Sequence, residues 1–88
     1  MRQDIGAMLR LGPRLDLAEA LAFMRQHGQV VLVGWALRGC PCWECSWTLR
    51  RGRYDGVTTN APIEAVLNCL SGVADALDRQ PEEDDDGR

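Results

Sequence analysis

The clearest pattern of apolar and polar positions lies near the carboxyl end of the chain. Apolar residues recur there at the three- and four-residue spacing of one helix face: Ile63, Val66, Leu67, Leu70, Val73, Ala74 and Leu77. This spacing predicts an amphipathic helix. Thr59 or Asn60 is suited to cap it, Pro62 is tolerated in its first turn, and Pro81 closes the domain.

A second helix is predicted over residues 17–27. Asp16 precedes it as an N-cap, and Glu19 follows three positions later in an arrangement close to a capping box. One face of this helix is apolar and consists of Leu17, Ala20, Leu21 and Met24. Gly28 comes next, and we expect it to end the helix in the left-handed conformation.

The middle of the chain carries strand patterns. Residues 29–37 form a short, continuous, β-branched run, which is typical of a strand covered on both faces, or nearly so. Over residues 43–50, apolar and polar residues alternate, which predicts a strand with one buried and one solvated face. We expect these strands to form an antiparallel hairpin with its loop at residues 39–42, and residues 53–58 to add a short third strand.

Residues 1–14 leave two interpretations open. Ile5, Met8 and Leu9 have the spacing of one apolar helical turn, which Gly12 and Pro13 would end, so the segment is either a short helix or an arm that packs on a neighbour. The remaining elements predict an α+β fold of the order α-β-β(-β)-α. In this fold a small antiparallel sheet has two helices packed on one face, and residues 15–80 form a single domain.

Charge changes this picture mainly at the carboxyl terminus. The 88-residue chain has a formal net charge of −3, but five of its thirteen acidic residues lie in one run at positions 82–86. Residues 1–81 contain nine arginines and eight carboxylates, so the body is nearly neutral. We expect residues 81–88 to be a disordered, solubilising acidic tail. Alternatively, the tail screens the arginines or mimics a nucleic-acid backbone toward a basic partner.

The location of the protein follows from what the sequence lacks. No segment is long and apolar enough to span a bilayer, and the amino terminus does not have the pattern of a signal peptide. We therefore expect a cytoplasmic protein that does not bind a membrane. In that compartment its four cysteines are reduced thiols or metal ligands rather than disulfides.

Three of the cysteines lie close together in sequence. Cys40, Cys42 and Cys45 fall within six residues, and a structural zinc ion would need a fourth ligand, for which Cys69 and His27 are the candidates. However, Cys45 is in phase with the apolar face of its strand and Cys69 lies beside the apolar helix stripe, so both also suit a core. We expect no cofactor, with zinc as the alternative. A thioredoxin-like redox role is disfavoured because the C-x-x-C pair begins a strand instead of a helix.

Arginine and aromatic residues gather around the predicted hairpin. The candidates for partner binding are Arg38, Trp43, Arg50, Arg51, Arg53 and Tyr54. Guanidinium groups bind phosphate and carboxylate, and aromatic rings stack on bases, so this set could serve a nucleic acid or a protein. The near-neutral body argues against nucleic acid as the main partner, since nucleic-acid-binding domains are usually strongly basic.

The pattern of polar residues does not indicate catalysis. The single histidine, His27, lies at a helix end, where it interacts favourably with the carboxyl terminus of the helix. The carboxylates of the body are scattered, there is no phosphate-binding glycine motif, and so small a domain has little room for a deep pocket. We therefore expect a protein that is not an enzyme.

The leading hypothesis is a small protein-interaction module. Its edge strands would bind a protein partner by strand addition or would pair with a second copy in a homodimer. By analogy of size and composition, it would be a phage or mobile-element protein that inhibits or modulates a host defence protein. The alternative is a zinc-stabilised, nucleic-acid-binding regulator that uses Cys40, Cys42 and Cys45 together with the arginine hairpin.

Overall fold

The computed structural model describes residues 1–79, and the predicted acidic tail at 81–88 lies outside the described residues. In chain order the elements are helix α1 (Arg2–Leu11), a 3-10 turn (Gly12–Arg14), helix α2 (Leu17–His27), strands β1 (Gln29–Leu37), β2 (Cys40–Leu49) and β3 (Gly52–Thr58), and helix α3 (Pro62–Arg79). The strands form an antiparallel sheet in the order β1-β2-β3. The predicted α+β class and the element order α-β-β-β-α are confirmed over residues 17–79, and α1 adds a third helix to the two expected.

Helix α3 is the main cover of the sheet, and a glycine lets it approach β3. A Cβ atom on Gly56 would collide with the carbonyl oxygen of Ala65 and lie 2.5 Å from the amide nitrogen of Cys69. Both are backbone atoms of α3, so the close contact depends on the missing side chain. The fully buried residues of α3 are Ala65, Val66, Cys69, Leu70 and Val73. They follow the predicted apolar stripe or lie beside it.

Helix α2 has the predicted bounds, and its amino-terminal cap is confirmed because the Asp16 carboxylate accepts a hydrogen bond from the Glu19 amide at 3.3 Å. The prediction for Gly28 is wrong, because its φ of 169° is extended rather than left-handed. A glycine is needed there for a different reason. A Cβ atom at this position would collide with the carbonyl oxygen of Thr48 on β2.

The amino-terminal segment is a helix and belongs to the same core. Ile5 is only 1% exposed and joins the cluster of buried residues that includes Leu70 and Val73. The Arg2 guanidinium donates a hydrogen bond to the carbonyl oxygen of Leu77 at 2.9 Å, which ties α1 to the last turns of α3. Of the two open interpretations of residues 1–14, the structure therefore shows the helix.

The turn between β1 and β2 is tighter than predicted. Strand pairing continues to Leu37 opposite Cys40, so the loop consists of Arg38 and Gly39 alone. Their φ values of 53° and 83° are both positive, as in the turns that two-residue hairpins favour. The predicted loop at 39–42 is wrong because residues 40–42 belong to β2. Pro41 is tolerated in this strand since it lies beyond the last residue of β2 that pairs with β3.

The two faces of the sheet have different surroundings. On β2 the predicted alternation is confirmed, because Cys45 and Trp47 are fully buried against the helices while Thr48 is exposed on the other side. We call the helix-covered side the inner face and the opposite side the outer face. The prediction that β1 is covered on both faces is wrong, since the helices of residues 1–79 cover only the inner face.

Candidate functional site

Four large apolar side chains follow one another along the outer face of β1. They are Val31 (55% exposed), Val33 (45%), Trp35 (42%) and Leu37 (60%), and we call them the apolar patch. A third exposed valine, Val57 on β3 (54%), is separated from Val33 by Glu44. Single exposed apolar residues are common, but a row of them on one strand forms a contiguous apolar surface.

The outer end of the β1–β2 hairpin extends beyond the third strand. The last pair between β2 and β3 is Trp43 with Thr58, whereas β1 and β2 remain paired as far as Leu37 and Cys40. On the inner face of this extension Ala36 is exposed, and on its outer face Trp35 and Leu37 are exposed while Cys42 is buried. A two-stranded ribbon is only marginally stable in water by itself. The extension is therefore suited to packing against a partner.

The free edge of β1 is unusual in composition. The nine residues of this strand include no charged residue and no proline. Proteins commonly protect a sheet edge from pairing with other chains by placing charges, prolines or covering elements there. The opposite edge, β3, carries Arg53 and Asp55 and packs under α3. Of the two edges, β1 is thus the one open to strand pairing.

The polar part of the outer face is a hydrogen-bonded cluster on β2 and β3. The Ser46 hydroxyl donates to the Asp55 carboxylate at 2.6 Å, and the Arg53 guanidinium donates to the same carboxylate oxygen at 3.1 Å. The hydrogen bond from Ser46 contributes most to holding the pKa of Asp55 below its ordinary value; desolvation opposes it, and the Arg53 guanidinium lowers the pKa further. A shallow groove of about 290 Å³ runs beside this cluster, lined by Gln29, Val31, Val33, Glu44, Ser46, Thr48 and Arg53. Polar groups therefore border the apolar patch on one side.

The sheet separates the four thiols into two pairs. Cys40 and Cys42 lie on the outer side of β2, and the Cys42 thiol donates to the Cys40 carbonyl oxygen at 3.8 Å. Cys45 lies on the inner face beside Cys69, whose thiol donates to the carbonyl oxygen of Tyr54 at 3.2 Å. The hydrogen bond with Cys45, together with burial, raises the pKa of Cys69. Cys45 and Cys69 are fully buried in the core, where they pack as small apolar residues, and Cys42 is buried on the outer side.

The possible zinc ligands can be examined in the described residues. Over residues 1–79, no three side chains among histidine, cysteine, aspartate and glutamate form a group that could hold a metal ion. The remaining candidate ligand, His27, is exposed at the end of α2, with its ring centroid 4.8 Å from that of Phe23. Zinc binding stays a prediction, and elemental analysis of purified protein for about one zinc per chain tests it.

The predicted partner-binding residues are spread over the sheet rather than brought together. Arg38 lies in the β1–β2 turn, whereas Arg50 and Arg51 lie in the β2–β3 turn, about 30 Å away along a ten-residue strand. Trp43 and Tyr54 are half-buried on the inner face against the core. Of the predicted set, only Arg53 lies on the outer face within the pairing of β2 and β3.

The apolar patch was not among the residues predicted from the sequence to bind a partner. A signal for it was present, since residues 30–37 contain no polar side chain, whereas the chain has amphipathic helices enough to cover one side of a sheet. A strand that is apolar on both sides in a sheet covered on one side must expose apolar residues.

Comparison of this chain with protein-family models, with curated proteins and with solved structures found no match. Among the helices of residues 1–79, none is long and apolar enough to cross a membrane.

Proposed function

We propose that this protein is a non-catalytic protein-interaction module that binds its partner through the apolar patch and the adjoining edge of β1. The observation that carries the proposal is the row of four apolar side chains that remain 42–60% exposed on one strand. Together they expose on the order of 300 Å² of surface. Covering it with a partner would contribute about 8 kcal/mol before the cost of association.

The surroundings of the patch also suit a protein interface. Trp35 lies within the patch, and tryptophan is among the residues that contribute most to binding when a partner buries them. Ser46, Arg53 and Asp55 form the polar border on one side. An apolar centre with a polar rim is the usual anatomy of a specific interface between proteins.

The class of partner is proposed from size and composition. A small domain whose described residues show no catalytic cluster is suited to act by occupying a surface of another molecule. We extend the proposal to a phage or mobile-element protein that inhibits or modulates a host defence protein. In that role the apolar patch and the β1 edge supply the contact, for which strand addition is a common mode.

The test is affinity capture from a lysate of the native host, with the wild-type chain compared to two double variants. Val31→Lys with Val33→Lys places two charges in the patch, and Ala22→Lys with Ser71→Lys places the same charge on exposed helix positions. We expect the wild type and the helix variant to retain a stoichiometric partner and the patch variant to lose it at least tenfold. Far-UV circular dichroism verifies that all three are folded.

Two outcomes would overturn the proposal. One is that the patch variant retains the same partner as well as the helix variant does. The other is that the wild type retains no partner and is also strictly monomeric in solution.

A further inference from the structure

We propose that the free edge of β1 pairs with β1 of a second copy of this chain, so that two three-stranded sheets join into one six-stranded antiparallel sheet. The inference rests on the proposed function, because it names the occupant of the same surface. Three properties of the edge carry it: the direction of its backbone groups, the fit of its side chains to themselves, and its lack of charge.

The backbone groups of β1 alternate in direction. Because Leu37 and Cys40 close a two-residue hairpin, the odd-numbered residues of β1 exchange hydrogen bonds with β2. The N–H and C=O groups of the even-numbered residues therefore point away from β2, toward a side where residues 1–79 provide no further strand. These residues are Val30, Leu32, Gly34 and Ala36. An added strand would form about eight hydrogen bonds with them.

The side chains of β1 are complementary to those of the same strand run in the opposite direction. With a two-fold axis at Val33, the residues whose backbone groups point away from β2 lie opposite each other in the two copies. Antiparallel pairing requires this arrangement. Leu32 then faces Gly34 of the second copy, and Val31 faces its Trp35. The ring of Trp43 lies over Gly34, so Leu32 of the other copy would meet this ring. In the second pair an aromatic residue lies beside a β-branched residue, which is a favourable cross-strand pair.

Because the β1 edge carries no charge, two copies of it can pair without repulsion between like charges. No pair in this register contains a charged group, because β1 has none. The same β1 edge makes the contact in both copies, which is the condition for a closed two-fold dimer. The β3 edge, by contrast, carries Arg53 and Asp55, so the assembly ends at two copies and does not extend into a fibre.

The contact also covers the hairpin extension. In this arrangement the Leu37 end of each β1 strand lies beside the Gln29 end of β1 in the other copy, which is the base of that strand. There Ala36 of the second copy faces Val30. Helix α2 packs over the base of β1, so the exposed inner side of the extension gains a neighbour there. The paired strands and the two extensions bury on the order of 1,000 Å² in total, which is sufficient for a specific interface.

The experiment is sedimentation-velocity ultracentrifugation over a concentration series of the full chain. The wild type should sediment with twice the chain mass of 9.8 kDa. Val33→Lys and Val33→Glu each place like charges opposite one another at the two-fold axis, and each should raise the dimer dissociation constant at least a hundredfold. An equimolar mixture of the two variants should restore dimers, which shows that both variants are folded and that Val33 meets its own copy.

The matched control is Val57→Lys. Val57 is an equally exposed valine on the outer face, but it lies about 10 Å from β1, on the far strand of the sheet. Edge pairing predicts that this variant still dimerises. A loss of dimers as large as that of Val33→Lys would overturn the inference in favour of face-to-face packing.

A wild type that remains monomeric at millimolar concentration would also overturn the inference. If that monomer still captured a partner dependent on the patch, the proposed function would stand without the dimer. If it captured none, both proposals would fail.

Discussion

At the scale of single residues, Trp47 connects the sheet to helix α2. Its indole N–H donates a hydrogen bond to the carbonyl oxygen of Met24 at 2.8 Å, and both residues are fully buried. Its ring centroid lies 6.2 Å from that of Phe23. Without the indole, the Met24 carbonyl oxygen would lose this hydrogen-bond donor. Water cannot reach the site to replace it.

We predict that Trp47→Phe lowers the free energy of unfolding by about 2–3 kcal/mol, because it removes the buried hydrogen bond and leaves a small cavity. Urea titration followed by circular dichroism measures the change. Trp35→Phe is the control, since this partly exposed residue keeps an aromatic ring and should change stability by less than about 0.5 kcal/mol. Equal losses in the two variants would show that the Met24 hydrogen bond contributes little.

The pKa of Asp55 gives a second prediction at this scale. The Ser46 hydroxyl and the Arg53 guanidinium stabilise the ionised carboxylate, so its pKa in the folded protein lies below that in the unfolded chain. Its contribution to stability is therefore present above the unfolded pKa and is lost as the pH falls through the folded pKa. Ser46→Ala should raise the pKa of Asp55 toward its ordinary value.

Carbon-detected NMR titration of the Asp55 carboxyl measures this shift. Ser71→Ala, the same change on the exposed surface of α3, serves as the control and should leave the titration of Asp55 unchanged. An unchanged pKa in Ser46→Ala would contradict the assigned role of the hydroxyl.

At the scale of elements, the contact between α3 and β3 depends on the absence of a side chain at one position. Gly56 lies under the backbone of α3 at Ala65 and Cys69, and no flexible side-chain end is available there to move aside. Gly72, on the same helix, has open space around the position of a Cβ atom. Replacing the two glycines with alanine should therefore have opposite effects on stability.

We predict that Gly56→Ala destabilises the protein by about 3 kcal/mol, because the added methyl group forces α3 away from the sheet. Gly72→Ala should stabilise it by about 0.5–1 kcal/mol, because alanine loses less conformational entropy in a helix. Thermal and urea unfolding measure both changes. A neutral Gly56→Ala would show that α3 is not seated on β3 as described.

At the scale of the whole molecule, the charge of the chain is divided between body and carboxyl terminus. Residues 1–80 contain nine arginines and eight acidic residues, whereas five acidic residues and one arginine follow. In the part of the chain that the structure describes, the buried core extends from Ile5 to Leu77. The acidity of the chain is therefore separable from its fold.

We predict that a chain ending at Gln80 has a pI above 7, in place of about 5.0 for the full chain, with a free energy of unfolding changed by less than about 0.5 kcal/mol. Isoelectric focusing and urea unfolding measure the two quantities. The full-length chain is the reference for both. A stability loss of more than about 1 kcal/mol would show that the terminal residues contact the body.

What the sequence alone determined about this protein is the set of its elements. The bounds of α2, the stripe of α3 and the alternation on β2 follow from periodicity within each segment, because one side of each element must meet a core. The conformation of Gly28 was not predictable in this way. Its requirement for a glycine comes from the carbonyl oxygen of Thr48, which is distant in sequence.

Only the tertiary structure decided where the candidate site lies. It showed that β1 is an edge strand, that its outer side has no cover in residues 1–79, and that Cys45 and Cys42 lie on opposite sides of the sheet. The physical reason is that the apolar run of β1 is compatible with a covered or an uncovered strand. The number of helical layers and the order of the strands, which are set by contacts between distant segments, decide between the two.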